Sequence, residues 1–338
     1  MSIAPDRVTQ TDVQALYMMY FRLSYIVKPL GIDDDNVIRF EMKKPELVSV
    51  ELRRLADAEM NKNYVKGDMV CMAVLQKKPT RNIRLWLAHP DMPQPPGFTD
   101  FAQETHNALS GAIVRAVKLW RWRIGYRSDQ HPIRFWKSFE WSVNGNDWNP
   151  APMGIQLHLS AGIPIPKKLT DELIESILRM SQGDTEEPFA HELFQEAWSQ
   201  RLDNPRSAVV MGIAAAETGL KYLISTLAPG SAWLVENTQS PPLVHMLQDY
   251  LPTLPTRLKI KGKVLPPPKW LIDTMKKGVG LRNQIVHGHP IQLASDTVHD
   301  VLQAVHDLLY LFDLYGGYEW AAQRFSVRMQ SSLVNEPE

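Results

Sequence analysis

The run from Arg282 to His287 holds three side chains that together suffice for metal-free cleavage of RNA: a guanidinium, a carboxamide and an imidazole. Asn283 and His287 are four residues apart, so they project from one face of a helix, and Arg282 is long enough to reach the same place. Gly288 favours a left-handed helix stop, and Pro290 cannot continue a helix. The pattern predicts that His287 lies at a helix C-terminus, where the helix dipole favours its protonated form.

A basic segment leads up to this motif. Six lysines but only one acidic residue lie between Arg257 and Arg282. Contacts to phosphates need such a segment, and we expect Lys269, Lys276 and Lys277 to bind RNA. The alternative is a solvated loop, because a glycine and three consecutive prolines also lie in this part of the chain.

The bulk composition sets the class of protein. A chain of 338 residues is too long for one ordinary core, so two domains are expected, and a hydrophobic fraction of 44% is typical of a globular protein. Lys+Arg and Asp+Glu are both 37, so net charge does not indicate a nucleic-acid partner. The single cysteine, Cys71, lies in an apolar run, which predicts a buried thiol. One cysteine excludes an internal disulfide framework and fits a reducing compartment.

No signal-peptide core or membrane span is predicted. The N-terminus carries Asp6 and Asp12 without an apolar core segment, and the most apolar stretch, 208–227, is interrupted by Glu217 and Lys221. We therefore expect a cytoplasmic protein without contact to a membrane.

The first half of the chain mixes helical and strand patterns and predicts an α+β domain over residues 1–184. Apolar spacing predicts a helix over 13–27 that ends at Pro29-Leu30-Gly31, and another over 99–120 that is capped by Thr99 or Asp100. A third helix is expected over 170–180, with Thr170 as its cap.

Short β-rich runs predict the strands of this domain. They are 37–40, 47–52, 68–76 and 83–88. A hairpin is expected in which a strand at 135–143, a turn at 144–147 and a second strand at 155–159 follow one another. Phe139, Trp141 and Val143 alternate along one of its strands, so one sheet face is aromatic; it forms either a platform on which bases stack or simply the core.

A polar interdomain linker is expected at 181–188, and the rest of the chain is predicted to be helical over 185–330, with a frayed tail at 331–338. Asn204-Pro205 has the order of a cap and a first-turn proline. The predicted helices are 189–203, 205–227, 243–250, 268–287 and 295 to about 325.

This helical half, roughly residues 189–325, resembles a HEPN domain (higher eukaryotes and prokaryotes nucleotide-binding). The signature of that family is an arginine, a polar residue, three apolar or variable residues and a histidine near a helix end. Here it corresponds to Arg282-Asn283-Gln284-Ile285-Val286-His287. The preceding helix from Arg206 to Lys221, with Ala214-Ala215-Ala216, is similar to the usual second helix of the family.

The resemblance implies an all-α bundle that forms a homodimer, with two copies of the motif facing each other. In active members it implies a metal-independent endoribonuclease with no cofactor. Arg282 and His287 would be the catalytic pair and Asn283 the supporting polar residue. Such enzymes act in toxin or phage-defence settings, and the N-terminal domain would then receive a trigger or an antitoxin.

Two other readings stay open. A domain of the same fold without catalysis would bind RNA or another protein as a dimer. Alternatively, the aromatic N-terminal domain is the working part and the helical half is a dimerisation device.

Several further polar residues have two possible roles or a spacing typical of a site. Glu217 either pairs with Lys221 one helical turn later or orients Arg282. His299 and His306 are seven residues apart and are expected on the polar face of the last long helix; the alternative is a place in a dimer seam.

No metal site is predicted. His287 and His289 have a metal-like spacing, but no carboxylate or thiolate cluster accompanies them. His191-Glu192 lacks the second histidine of a zincin helix.

Overall fold

A computed structural model of the chain describes most of its residues. They are 18–28, 37–43, 46–56, 64, 68–89, 91, 93–127, 133–151, 171–183, 185–237 and 242–335. The described residues fall into two compact units, one within 1–120 and 131–186 and the other within 121–130 and 187–338. The sequence placed the domain boundary after residue 184, whereas the structure assigns 121–127, well before that boundary, to the second unit.

The first unit contains a six-stranded antiparallel sheet with the strand order β2-β3-β4-β1-β5-β6. Its strands are β1 (Met19–Val27), β2 (Ile38–Met42), β3 (Val48–Arg54), β4 (Met69–Lys77), β5 (Ile133–Ser142) and β6 (Asn149–Pro150). Its helices are α1 (Arg81–Ala88), α2 (Phe98–Ile124), of which 121–124 belong to the second unit, and α3 (Asp171–Gln182). An α+β architecture followed by helices is therefore confirmed, as are the strands predicted from 37–40, 47–52 and 68–76.

The helix predicted over 13–27 is wrong from Met19 onward, where the structure has the central strand β1. Met19, Phe21 and Leu23 are buried while Tyr20 and Arg22 are partly exposed, which is the alternation of a strand. The strand is bonded on both sides, by β4 and by β5, and this pairing overrides the weak helical spacing. Residues 13–17 and the expected terminator at 29–31 lie outside the described residues.

The strand predicted over 83–88 is also wrong, because these residues form helix α1. The side chain of Thr80 caps the helix by accepting from the backbone N–H of Ile83 at 3.4 Å. Ile83, Trp86 and Leu87 are buried and Leu85 is exposed. This spacing of three and four residues is the helical period.

The aromatic sheet face belongs to the core. Phe139 and Trp141 are buried, and Phe21 on the neighbouring strand packs edge-on against Phe101 of α2, with ring centroids 5.4 Å apart. Only Val143 of the predicted alternation is exposed. The two buried rings are not available as a base-stacking platform.

The ends of several predicted elements shift. Helix α2 begins at Phe98, before the expected caps Thr99 and Asp100, and continues to Ile124. Residues 155–159, the expected partner of β5, and the expected cap Thr170 lie outside the described residues. The proposed linker is in part ordered structure, because α3 continues through Gln182 and Glu187 is buried.

The second unit is helical. Its helices are α4 (Phe189–Gln200), α5 (Pro205–Leu227), α6 (Ala232–Asn237), α7 (Leu243–His245, followed by a π-turn to Tyr250), α8 (Lys269–Val286), α9 (Ser295–Gly316) and α10 (Val327–Asn335). Helix α5 matches its prediction, and Asn204 caps it by accepting from the N–H of Ser207. The tail predicted to fray from Ser331 is helical through Asn335.

The last long helix ends at Gly316 rather than near Phe325. Gly317 adopts a φ of +113°, its N–H donates to the carbonyl of Leu314, and the N–H of Tyr318 donates to the carbonyl of Asp313. This pair of bonds is a Schellman stop, for which glycine is the preferred residue. In the sequence, the Gly316-Gly317 pair indicates this helix end.

Helix α5 is the centre of the second unit. A Cβ on Gly212 would lie 2.6 Å from Leu302 Cδ2, and one on Gly278 would lie 2.8 Å from Ile213 Cδ1, so these glycines let α8 and α9 approach α5 closely. By length and composition α5 is the one described helix that could cross a membrane. Its apolar residues are packed against α4, α8 and α9, as in the core helix of a soluble protein.

Candidate functional site at the end of helix α8

The residues from Arg282 to His287 form the last turns of α8, and His287 is the C-cap residue. Gly288 adopts a φ of +78°, its N–H donates to the carbonyl of Ile285, and the N–H of His289 donates to the carbonyl of Gln284, both at 3.0 Å. This is again a Schellman stop. The helix end predicted from Gly288 is therefore confirmed.

Arg282 is oriented by Glu217 of α5. The Nη2 group of Arg282 donates to Glu217 Oε1, and the two side chains are 20% and 16% exposed. The predicted contact between Glu217 and Arg282 is therefore present. Among the residues that the structure describes, the remaining N–H groups of the guanidinium meet no acceptor, and a guanidinium has five.

Asn283 and His287 are exposed at the same helix end. The backbone N–H of His287 donates to the carbonyl of Asn283 at 3.0 Å. Within the described part of the chain, neither side chain has a hydrogen-bond partner, so both can meet a ligand from solvent. We call Arg282, Asn283 and His287 the α8-end site.

The lysines expected to bind RNA are all exposed on α8. Lys269 pairs with Asp273 at 2.6 Å, an exposed contact one turn along the helix. Lys277 Nζ donates to Thr297 Oγ1 at 3.2 Å. Lys276 and Lys277 lie within two turns of Arg282, whereas Lys269 lies at the opposite end of the helix.

Comparison of the chain with protein-family models, with curated proteins and with solved structures found no match. The HEPN resemblance therefore rests on the motif and the order of the helices.

A second group of polar residues was not recognised from the sequence. Inside the helical unit, Asp313 Oδ2 accepts from Trp122 Nε1 at 2.8 Å and from His191 Nε2 at 2.9 Å. A carboxylate can only accept, so Nε2 of His191 carries the proton. All three side chains are buried.

The neighbouring interactions extend this group. Arg121 donates to both carboxylate oxygens of Glu187, from Nε at 3.0 Å and from Nη2 at 2.5 Å. Burial raises the pKa of the Glu187 carboxyl, and Arg121 opposes that rise. We call Arg121, Trp122, Glu187, His191, His306 and Asp313 the buried polar cluster.

His306 was expected on a polar face and this prediction is wrong. It is buried, with its ring 4.8 Å from that of Tyr310 and Nδ1 3.5 Å from Asp307 Oδ1. Burial lowers the pKa of His306 to about 4. His299 is exposed as expected, with its ring 5.6 Å from that of Trp198.

No group of three potential metal ligands occurs among the described His, Cys, Asp and Glu residues. Cys71 is buried, so the expected buried thiol is confirmed, and burial raises the pKa of this thiol far above the usual value.

Proposed function

We propose that this protein is a homodimeric, metal-independent endoribonuclease of HEPN type, with the α8-end site as its catalytic centre. The observation that carries the proposal is the arrangement at one helix end. Arg282 is held by Glu217 while it keeps donors for a phosphate, and Asn283 and His287 are exposed beside it.

The chemistry needs no nucleophile from the protein, because the 2′-hydroxyl of RNA attacks the adjacent phosphate. His287 takes the proton of that hydroxyl, and a second acid protonates the departing 5′-oxygen. Arg282 stabilises the added negative charge of the phosphorane-like transition state. The products are a 2′,3′-cyclic phosphate and a 5′-hydroxyl.

A dimer supplies the second acid as His287 of the partner copy. Val286, next to His287, is 62% exposed, and an apolar residue at this position suits burial against a second copy. Val286→Glu is expected to give a monomer without cleavage activity. Val327→Glu, at an equally apolar and 80% exposed position on α10, is the control and should change neither property.

The decisive experiment incubates the purified full chain with RNA in EDTA and analyses the product ends. Wild-type protein should yield cyclic-phosphate ends, and His287→Ala and Arg282→Ala should each lose at least ~100-fold in rate, as expected for a general acid–base group or a fixed cation. His289→Ala, an exposed histidine just past the helix stop, is the matched control and should retain activity. Equal cleavage by all of these proteins would come from a contaminant and would refute the proposal.

A second candidate function is a non-catalytic dimer that binds RNA. The ion pair between Glu217 and Arg282 favours it, because a neutralised arginine stabilises less charge in a transition state. Binding to labelled RNA that is weakened by Arg282→Ala, without cleavage by the wild-type chain, would support this candidate. Glu217→Ala separates the two, because it removes the acceptor that orients Arg282: it should lower the cleavage rate of a nuclease and leave RNA binding intact.

The setting of the enzyme follows only from the resemblance. We propose a cytoplasmic effector of a toxin or phage-defence system, whose N-terminal unit receives a trigger or an antitoxin. Because such a protein can be autoinhibited, RNA cleavage should also be assayed in extracts of cells in which expression of the wild-type chain is toxic. Extracts of cells that express His287→Ala are the control.

A further inference from the structure

The helical unit contains a cavity of about 210 Å³ between the start of α4, the second half of α5 and the C-terminal end of α9. A single buried water needs only about 10–15 Å³, so the space accommodates a small organic molecule. Leu223, Leu309 and Phe312 provide apolar walls, and His191 and Asp313 are polar lining residues. Neither Arg282 of the α8-end site nor its partner Glu217 lines the cavity.

The carboxylate of Asp313 is only partly satisfied. Its Oδ2 atom accepts from Trp122 and His191, but no donor among the described residues contacts Oδ1. Asp313 is 7% exposed, and no lysine or arginine of the described chain pairs with it. A buried carboxylate is stabilised by a charged donor, and a ligand with an ammonium group would supply one.

A cationic residue, Arg257, also lines this cavity. The backbone N–H of Arg257 donates to the carbonyl of Tyr315 at 2.9 Å, and its alkyl chain passes over Gly317, where a Cβ would lie 3.2 Å from Arg257 Cδ. The guanidinium is exposed and forms no ion pair with any described carboxylate. It is therefore available to an anionic group of a ligand.

Two tyrosines complete the lining. The Schellman stop of α9 joins the N–H of Tyr318 to the carbonyl of Asp313 at 3.0 Å, which places Tyr318 at the cavity. Burial raises the pKa of the Tyr318 hydroxyl, and Tyr222 and Asp313 add to that rise. The hydroxyl stays neutral and can donate or accept, and an aromatic ring also favours a nearby ammonium group.

We propose that this cavity binds a small zwitterion, namely a free α-amino acid. The ammonium group pairs with Asp313 Oδ1, the carboxylate pairs with Arg257, and the side chain of the ligand packs between Leu223, Leu309 and Phe312. A simple amine would leave Arg257 unpaired, and a simple carboxylate would leave Asp313 unpaired. This site is separate from the proposed nuclease chemistry and does not depend on it.

The test is calorimetric titration of the full chain with the common amino acids, together with analogues that lack one charge. Leucine, for example, is compared with 3-methylbutylamine, which lacks the carboxylate, and with 4-methylpentanoate, which lacks the ammonium group. At least one amino acid should bind and raise the unfolding temperature, as any ligand of the native state does. Its two analogues should bind at least about tenfold more weakly, the size expected for the loss of one charged contact.

Two variants assign the contacts. Arg257→Gln should weaken binding of the amino acid about tenfold or more and leave binding of the amine analogue unchanged, whereas Lys259→Gln, an exposed control on the same segment, should change neither. Asp313→Asn, compared with the exposed Asp300→Asn on the same helix, should abolish binding. Circular dichroism checks that Asp313→Asn is folded, and the exposed Arg257 keeps the proposal testable if it is not.

Three outcomes would overturn the proposal. They are the absence of binding by every amino acid at millimolar concentration, binding of nucleoside monophosphates in preference to amino acids, and affinity for an amino acid that is unchanged in Arg257→Gln.

Discussion

The α8-end site and the buried polar cluster consist of the same kinds of side chain in opposite environments. Each contains a histidine and an arginine that pairs with a glutamate, which is Glu217 of α5 for Arg282 and Glu187 for Arg121. The α8-end site lies within six consecutive residues and faces solvent. The buried cluster joins residues as far apart as Trp122 and Asp313, which are separated by 191 positions.

The two groups differ in whether water can serve as a hydrogen-bond partner. An exposed polar group can bond to water and then exchange that water for a ligand, so it can remain without a protein partner. A buried polar group must find its partner within the fold, since an unsatisfied one costs about 1–3 kcal/mol. Substitutions at the α8-end site should therefore change function at nearly constant stability, and substitutions in the buried cluster should change stability.

The largest expected effect compares the two arginine–glutamate pairs. Arg121→Met leaves the Glu187 carboxylate buried without a cation and should lower the free energy of unfolding by about 3–5 kcal/mol. Arg282→Met breaks a partly buried pair whose side chains are 20% and 16% exposed, so water replaces part of the lost contact and the cost should be about 1–2 kcal/mol. Urea denaturation of both variants measures the difference, and equal losses would contradict the proposed role of burial.

The next effect is a pH dependence specific to His306. Its pKa is about 4 in the folded chain against 6.5 when unperturbed, so between these values the unfolded state binds more protons. The associated stability is present above pH 6.5 and is lost as the pH falls toward 4, by up to about 3 kcal/mol. His306→Gln should lose this part of the pH dependence, while His299→Gln, at an exposed position, should retain it.

Two glycines of α8 provide a smaller comparison. Gly278→Ala places a Cβ 2.8 Å from Ile213 Cδ1 and 3.0 Å from Val301 Cγ1, and it should destabilise the unit by about 1–3 kcal/mol. Gly280→Ala meets no atom within 4 Å and should stabilise the helix by about 0.5–1 kcal/mol. Thermal unfolding of the two variants should give shifts of opposite sign; shifts of the same sign would show that α8 does not pack closely on α5.

The smallest effect concerns the lysines near the α8-end site. The double variant Lys276→Gln and Lys277→Gln should bind RNA more weakly and reduce the slope of log affinity against log salt by about 1.4, since it removes two phosphate contacts and each contact on a single strand contributes about 0.7. The exposed pair Lys259→Gln and Lys263→Gln is the control. A larger change in the slope for the control pair would show that RNA contacts Lys259 and Lys263 rather than the lysines of α8.

Much of the α8-end site was predictable because its signals are local. Gly288, the four-residue spacing of Asn283 and His287, and the cap at Asn204 all act within one or two helical turns. The Glu217–Arg282 contact was only one of two alternatives, since it spans 65 positions and depends on the packing of α5 against α8.

Elements whose state depends on distant partners were predicted less well. Strand β1 was assigned as a helix because its two neighbours in the sheet, β4 and β5, are not visible in a local window. Helix α1 was assigned as a strand because its buried residues were counted as a β-rich run rather than by their helical spacing. The choice between these states was settled by pairing and burial.

The amino-acid sequence alone determined the order of the two architectures, the helix end at Gly288 and the residues that stand at it, because caps, glycines and apolar spacing act over a few residues. Only the tertiary structure decided that Arg282 contacts Glu217, that His306 is buried, and that Asp313 and Arg257 line the same cavity. These facts depend on which helices pack together, and burial then determines whether a polar side chain binds water, a ligand or another residue of the chain.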